Sequence, residues 1–63
     1  MFIKINPMNA EFDRKEILIN LDQIKFITKQ YSYYELIFGG TIPIYINDKE
    51  YKKIKDVING GDK

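Results

Sequence analysis

The stretch of residues 31–46 constrains the fold most, because it joins two β-rich runs through two glycines. The first run, residues 31–38, reads Tyr-Ser-Tyr-Tyr-Glu-Leu-Ile-Phe, and the second, residues 41–46, reads Thr-Ile-Pro-Ile-Tyr-Ile. The tight turns of β-hairpins need positive φ angles, which glycine adopts without steric cost. The sequence therefore predicts a β-hairpin closed by a two-residue loop, Gly39-Gly40.

Further strands are predicted before the hairpin, because apolar and polar residues alternate in residues 2–6, 16–21 and 24–29. Residues 7–15 show no period and predict a loop, from which Phe12 reaches the core. Pro43 lacks a backbone N–H, so the last strand, residues 42–46, is expected at an edge of the sheet.

Residues 48–59 predict an α-helix, because Tyr51, Ile54 and Ile58 recur at helical spacing and share one face. Asn47 is a suitable N-cap, and Glu50 three residues later resembles the second half of a capping box. The glycines at positions 60 and 61 are typical of a helix end.

These elements predict an α+β fold with an antiparallel sheet of four to five strands and one C-terminal helix packed on one face. The chain is expected to form a single small domain over residues 1–63, with residues 60–63 as a tail. A core of this size barely offsets the entropy of ordering the chain, which favours self-association.

One face of the predicted sheet lies under the helix, and strand periodicity assigns residues to it. The inward residues are Ile3, Ile5, Ile17, Ile19, Ile24, Phe26, Tyr34, Leu36, Phe38, Ile42, Ile44 and Ile46. The outward apolar residues are Phe2, Leu18, Ile27, Tyr33, Ile37 and Tyr45. Because a contiguous apolar patch usually marks an interface, these six form the predicted partner-binding surface. A register error in one strand, or a 7–15 loop that covers this face, is the alternative explanation.

The side chains that most enzymes use are absent or scattered. The sequence has no cysteine and no histidine, which excludes disulfides and the common nucleophile–base pairs. A zinc site would need carboxylates alone, and the nine Asp and Glu residues are dispersed along the chain. We therefore predict that the protein is not an enzyme and uses no cofactor or metal.

Charge and hydropathy indicate where the chain acts. The net charge of +1 provides no bulk field for nucleic acid or an anionic membrane. No apolar run approaches the about 18 residues of a membrane span, and the first residues lack the features of a signal peptide. The bias towards Ile, Lys, Asn and Tyr suits an A+T-rich genome, so we expect a cytoplasmic protein of a bacterial cell or a phage.

Nucleic-acid binding is the alternative function, because lysines and tyrosines that lie close together can combine phosphate contacts with base stacking. The predicted nucleic-acid-binding residues are Lys25, Lys29, Tyr31, Lys49, Lys52 and Lys53. The same pattern has a simpler explanation, since strand lysines discourage aggregation and tyrosines are good strand formers.

Residues 17–27, Ile-Leu-Ile-Asn-Leu-Asp-Gln-Ile-Lys-Phe-Ile, with the hairpin and helix that follow, form a pattern that resembles the small FlbD-like proteins. These are flagellar-operon and phage-borne chains, and the likeness covers most of residues 15–58 and includes Asn20, Asp22 and Gly40. The same stretch is similar to the first half of a LytTR DNA-binding domain, whose DNA-contacting second half has no counterpart here. The resemblance implies a small β-sheet module that works through contacts, and no functional residue carries over.

The sequence thus predicts a small non-enzymatic protein-interaction module that binds a second copy of itself, through the outward sheet face or an edge strand, or another protein, or both. Such a chain would act as an adaptor, or as a phage-type inhibitor of a host protein. A small nucleic-acid-binding transcriptional regulator is the alternative.

Overall fold

The computed structural model describes residues 1–13, 15–40 and 42–60, which form an α+β fold as predicted. The strands are shorter than the predicted ones: β1 (Phe2–Ile5), β2 (Ile17–Asn20), β3 (Phe26–Lys29), β4 (Tyr34–Ile37) and β5 (Ile44–Ile46). Helix α1 (Asp48–Gly60) ends one residue beyond the predicted helix. The predicted tail after Gly60 lies outside the described residues.

The strands form two antiparallel sheets, not the single predicted sheet. One sheet has the order β1-β2 and the other the order β3-β4-β5. The 3₁₀ turn Leu21–Gln23 separates β2 from β3, and the Asn20 side chain accepts a hydrogen bond from the Asp22 N–H at 3.0 Å within it. The chain therefore turns away after β2, and β3 pairs with β4 instead.

The core lies between the two sheets and the helix. Its buried members come from both sheets and from α1: Ile5, Ile19, Leu36, Ile44, Ile46 and Ile54. Phe12 packs against this cluster from the loop after β1, as predicted. Tyr51 packs beside Ile54 as expected, whereas Ile58 near the end of α1 is 55% exposed.

No helix within the described ranges is both long and apolar enough to cross a membrane.

The connection between β4 and β5 is longer than the predicted two-residue loop. Gly39 and Gly40 do adopt positive φ angles, 77° and 76°, but the last paired residues are Leu36 and Ile44. A two-residue loop would have placed Leu36 opposite Pro43, which has no N–H to donate to the ladder. The observed register instead places Leu36 opposite Ile44, and both side chains are buried.

The short connection lies between β3 and β4. The Gln30 N–H donates to the Tyr33 carbonyl at 2.8 Å, so Tyr31 and Ser32 alone connect these two residues. Both had been predicted as strand residues. The tight hairpin therefore lies between β3 and β4, not between β4 and β5, where the two glycines predict it.

Three predictions about which residues face the core are wrong. The Lys25 N–H donates to the Ile37 carbonyl at 2.7 Å, although the ladder pairs Ile37 with Phe26. Lys25 and Phe26 thus both face Ile37, as in a β-bulge. From Phe26 onwards, the inward and outward positions of β3 are therefore exchanged relative to the prediction. Ile27 consequently packs against the core and Phe26 is 59% exposed, the reverse of the prediction. Ile42 is exposed, because β5 begins only at Ile44.

The last strand lies at a sheet edge, as Pro43 predicted, and the loop after β1 covers that edge. The Asn9 side chain accepts a hydrogen bond from the Tyr45 N–H at 2.7 Å and donates to the Pro43 carbonyl at 2.9 Å. The Met8 N–H donates to the Tyr45 carbonyl at 2.7 Å. A buried asparagine therefore replaces a neighbouring strand, and the loop covers the edge of β5.

Helix α1 begins as predicted, because the Asn47 side chain accepts a hydrogen bond from the Glu50 N–H at 2.9 Å. The Glu50 carboxylate does not complete a capping box. Its Oε1 accepts hydrogen bonds from the Asn6 N–H at 3.1 Å and from Lys53 Nζ at 3.0 Å. Glu50 is only 4% exposed, so this carboxylate ties the start of the helix to the end of β1.

Candidate protein-interaction surface

The side of the β3-β4-β5 sheet that faces away from the core is here called the outer face. Residues on it alternate with the buried Leu36 and Ile44, and the cross-strand register joins them. The outer face consists of Phe26, Thr28, Tyr33, Glu35, Ile37 and Tyr45. Phe26 lies opposite Ile37, while Glu35 lies between Thr28 and Tyr45.

The two tyrosines of the outer face form a fixed aromatic pair. The ring centroids of Tyr33 and Tyr45 are 5.4 Å apart, and the ring planes meet at 78°. This edge-to-face geometry is favourable for aromatic rings, and it holds both side chains in place. A rigid aromatic pair loses little conformational entropy on contact with another surface.

The structure divides the predicted partner-binding surface between the two sheets. Tyr33, Ile37 and Tyr45 lie together on the outer face. Phe2 and Leu18 lie together on the β1-β2 sheet, where Leu18 is paired with Lys4 and both apolar residues are exposed. Ile27 belongs to neither group, because it packs against the core. Phe26 takes the place on the outer face that the sequence pattern assigned to Ile27.

An apolar groove of about 410 Å³ lies between the two sheets. Its lining includes Phe12, Leu18, Phe38, Ile42 and Ile44. The sequence pattern does not predict this groove, since the groove exists only because the strands divide into two sheets. The outward position of Leu18 in the predicted strand was the sequence feature that indicated an apolar surface here.

The predicted nucleic-acid-binding residues lie in different surroundings. Lys25 directly precedes β3 and Lys29 ends it, so the two lie about 13 Å apart at the usual rise per strand residue. Lys25 runs over the β4-β5 connection, since a Cβ built on Gly39 would lie 2.5 Å from Lys25 Cε. Lys49 and Lys52 are exposed on α1, whereas Lys53 pairs with the buried Glu50. Tyr31 is fully exposed at the tip of the β3-β4 hairpin.

A second aromatic pair lies where the β3-β4 hairpin meets the start of α1. The rings of Tyr34 and Tyr51 stack with centroids 3.8 Å apart, and the Tyr34 hydroxyl donates to Asp48 Oδ1 at 3.2 Å. Burial of the phenol and its hydrogen bond to the Asp48 carboxylate raise the pKa of Tyr34. The phenol therefore stays protonated at neutral pH, and its role is to hold the helix against the hairpin.

The acidic residues form no metal site among residues 1–13, 15–40 and 42–60, where no group of three could hold an ion.

Comparison of the chain with models of protein families, with characterised proteins and with solved structures finds no match. The resemblance to FlbD-like and LytTR proteins stays a prediction. The outer face must be interpreted from its own geometry.

Proposed function

We propose that this chain is a small non-enzymatic protein-interaction module, an adaptor or inhibitor, whose contact surface is the outer face. The observation that supports this proposal is the exposure of Phe26 beside Ile37, on the side of the sheet opposite the core. A solvated sheet face normally carries polar residues at such positions. Phe26 is a large apolar residue that the sheet holds in a fixed place.

The free energy available from this contact is substantial for so small a face. An aromatic side chain of about 200 Å² that is 59% exposed can still hide about 120 Å² from water. At about 25 cal/mol per Å², burial of Phe26 alone contributes about 3 kcal/mol to association. The exposed aromatic residue is thus the expected centre of the contact, with the polar residues of the outer face at its rim.

The test compares a face variant with a matched control elsewhere. Phe26→Thr combined with Ile37→Thr removes apolar surface and keeps residues that favour strands. Ile58→Thr makes a similar change at an exposed position on α1. Each immobilised protein is exposed to nuclease-treated bacterial lysate together with the purified chain. Loss of bound protein with the face variant alone supports the proposal, and equal binding by all three proteins refutes it.

Single-stranded nucleic-acid binding is the second candidate, because the fully exposed Tyr31 lies two residues from the exposed Lys29. Glu35 in the middle of the outer face repels phosphate, so any such site would lie at the hairpin tip. Fluorescence anisotropy with labelled single-stranded DNA and RNA at low salt is the test. Binding that weakens with salt and is lost in Tyr31→Ala supports it, and no binding at low salt refutes it.

A further inference from the structure

The charges on and beside the outer face suggest which protein binds there. Lys25 is exposed beside Phe26 and Ile37, and Glu35 is two residues before Ile37 on β4. Along the sheet, the carboxylate of Glu35 comes first. The apolar pair, Phe26 and Ile37, follows, and the ammonium group of Lys25 comes last. Glu35 lies about 7 Å from Ile37, at the spacing of alternate strand residues, and Lys25 directly precedes Phe26 at the other end of the apolar pair.

Neither charge has an ionic partner within residues 1–13, 15–40 and 42–60. Among the described residues, ion pairs of side chains or termini join Met1 to Asp22 and Lys53 to Glu50 only. Glu35 accepts one hydrogen bond, from the Gln30 side chain at 3.2 Å, through Oε1. Lys25 and the second oxygen of Glu35 therefore remain able to form ion pairs with another molecule.

A twofold axis that passes over the apolar pair, parallel to the sheet and perpendicular to its strands, would satisfy this arrangement. In a face-to-face contact around such an axis, each surface meets its own copy, rotated by 180°. Phe26 and Ile37 of one protomer would then contact the same pair in its partner. The rotation also places each Lys25 opposite Glu35 of the other protomer. The outer face is thus complementary to itself in both charge and hydrophobicity.

We propose that the occupant of the outer face is a second copy of this chain, with Lys25 of each protomer paired to Glu35 of the other. This inference rests on the proposed function, since it names the partner of the same surface. Three strands of about four residues cover roughly 200 Å², well below the about 800 Å² per partner of stable complexes. The dimer is therefore concentration-dependent, with a dissociation constant between about 1 µM and 1 mM.

Charge exchange tests the pairing directly. Lys25→Glu places two carboxylates opposite each other at both contacts, and Glu35→Lys places two ammonium groups there. Each variant alone should dimerise at least about tenfold more weakly than the natural chain. An equimolar mixture of the two should recover the association, because every contact in the mixed dimer then joins a carboxylate to an ammonium group.

Sedimentation velocity over a wide concentration range is the measurement, with Lys52→Glu as the control. This change alters the net charge as Lys25→Glu does, but on the exposed side of α1. It should leave the dissociation constant unchanged. If Glu35→Lys does not fold, Glu35→Gln in the Lys25→Glu background replaces it, and should restore part of the association by removing the repulsion.

The outcomes separate the two proposals. A natural chain that stays monomeric up to about 1 mM, or a mixture that associates no better than its components, refutes the second copy as the occupant. Binding of another protein that Phe26→Thr with Ile37→Thr abolishes would leave the outer face as the contact surface. Association of the natural chain that this double variant does not weaken also refutes the second copy as the occupant, and the lysate experiment then tests the outer face by itself.

Discussion

Replacement of Glu50 by glutamine separates the charge of the buried carboxylate from its ability to accept hydrogen bonds. In the structure, Glu50 Oε1 accepts from the Asn6 N–H at 3.1 Å and from Lys53 Nζ at 3.0 Å. The side chain of Glu50 is 5% exposed, and that of Lys53 is 39% exposed. In Glu50→Gln, an oxygen remains for Asn6, while the ion pair with Lys53 is lost.

The expected loss of stability follows from these contacts. A hydrogen bond that involves a charged group contributes about 1.5–3 kcal/mol, and a neutral one about 0.5–1.5 kcal/mol. The water around the half-exposed Lys53 compensates part of the change. We therefore expect Glu50→Gln to lower the free energy of unfolding by about 1–2 kcal/mol at neutral pH. A domain of this size loses about 4–8 °C in Tm per kcal/mol, so the shift should be about 10 °C.

The dependence on pH makes this prediction specific. Burial acts to raise the pKa of the Glu50 carboxyl, but the hydrogen bonds from Lys53 and Asn6 outweigh it and hold the pKa below its usual value. A lowered pKa in the folded state stabilises the fold above the unfolded-state pKa, about 4.3. This contribution is lost as the pH falls through the folded-state pKa. The natural chain and Glu50→Gln should thus approach the same stability in acid.

Urea unfolding followed by circular dichroism, at neutral pH and at several acidic pH values, measures both effects. Glu16→Gln makes the same chemical change at an exposed position and should alter stability by less than about 0.5 kcal/mol. The reasoning is refuted if Glu50→Gln is as stable as the natural chain at neutral pH. It is also refuted if the difference between the two does not shrink as the pH falls.

Three other changes test the loops and the second aromatic pair. Asn9→Ala removes both side-chain hydrogen bonds to the edge of β5, so the free energy of unfolding should fall by about 2–3 kcal/mol. Hydrogen exchange at the Tyr45 amide should accelerate, and unchanged exchange would contradict this. Tyr34→Phe should remove a tyrosine that titrates above the usual tyrosine pKa in an ultraviolet titration, because burial and the hydrogen bond to Asp48 raise the pKa of Tyr34. The stability that the raised pKa provides is present below the usual tyrosine pKa, about 10, and is lost as the pH rises through the folded-state value. Gly39→Ala and Gly40→Ala should each cost about 1 kcal/mol, because both glycines adopt a positive φ and the lysine side chain that a Cβ at position 39 would meet is flexible and can move aside; thermal unfolding that neither variant changes would refute this.

Local patterns predicted most of the elements and much of the core. The predicted helix begins at the observed residue because Asn47 caps it and Ile54 is buried on the expected face. Strict alternation in β1 and β2 correctly predicted that Ile5 and Ile19 face the core and that Leu18 does not. These outcomes depend on neighbours within a few residues, which are visible in the chain itself.

The candidate surface was predicted less completely, because one step of the pairing shifted it. Tyr33, Ile37 and Tyr45 do lie on the outer face, but Phe26 stands where the alternation placed Ile27. The extra hydrogen bond from the Lys25 N–H to the Ile37 carbonyl produces this shift. A bulge depends on how two strands align, and neither strand alone shows it.

Local sequence patterns are enough to predict the α+β class, the helix and its cap, and the alternation that buries one side of most strands. Periodicity and capping act within a few residues, so the chain encodes them locally. Tertiary packing sets the division of the strands into two sheets, the cover that Asn9 provides for the edge of β5, and the contact of Glu50 with the end of β1. The Asn9 and Glu50 contacts join residues more than thirty positions apart, and the sheets depend on how separate strands align, so these features exist only once the whole chain has packed.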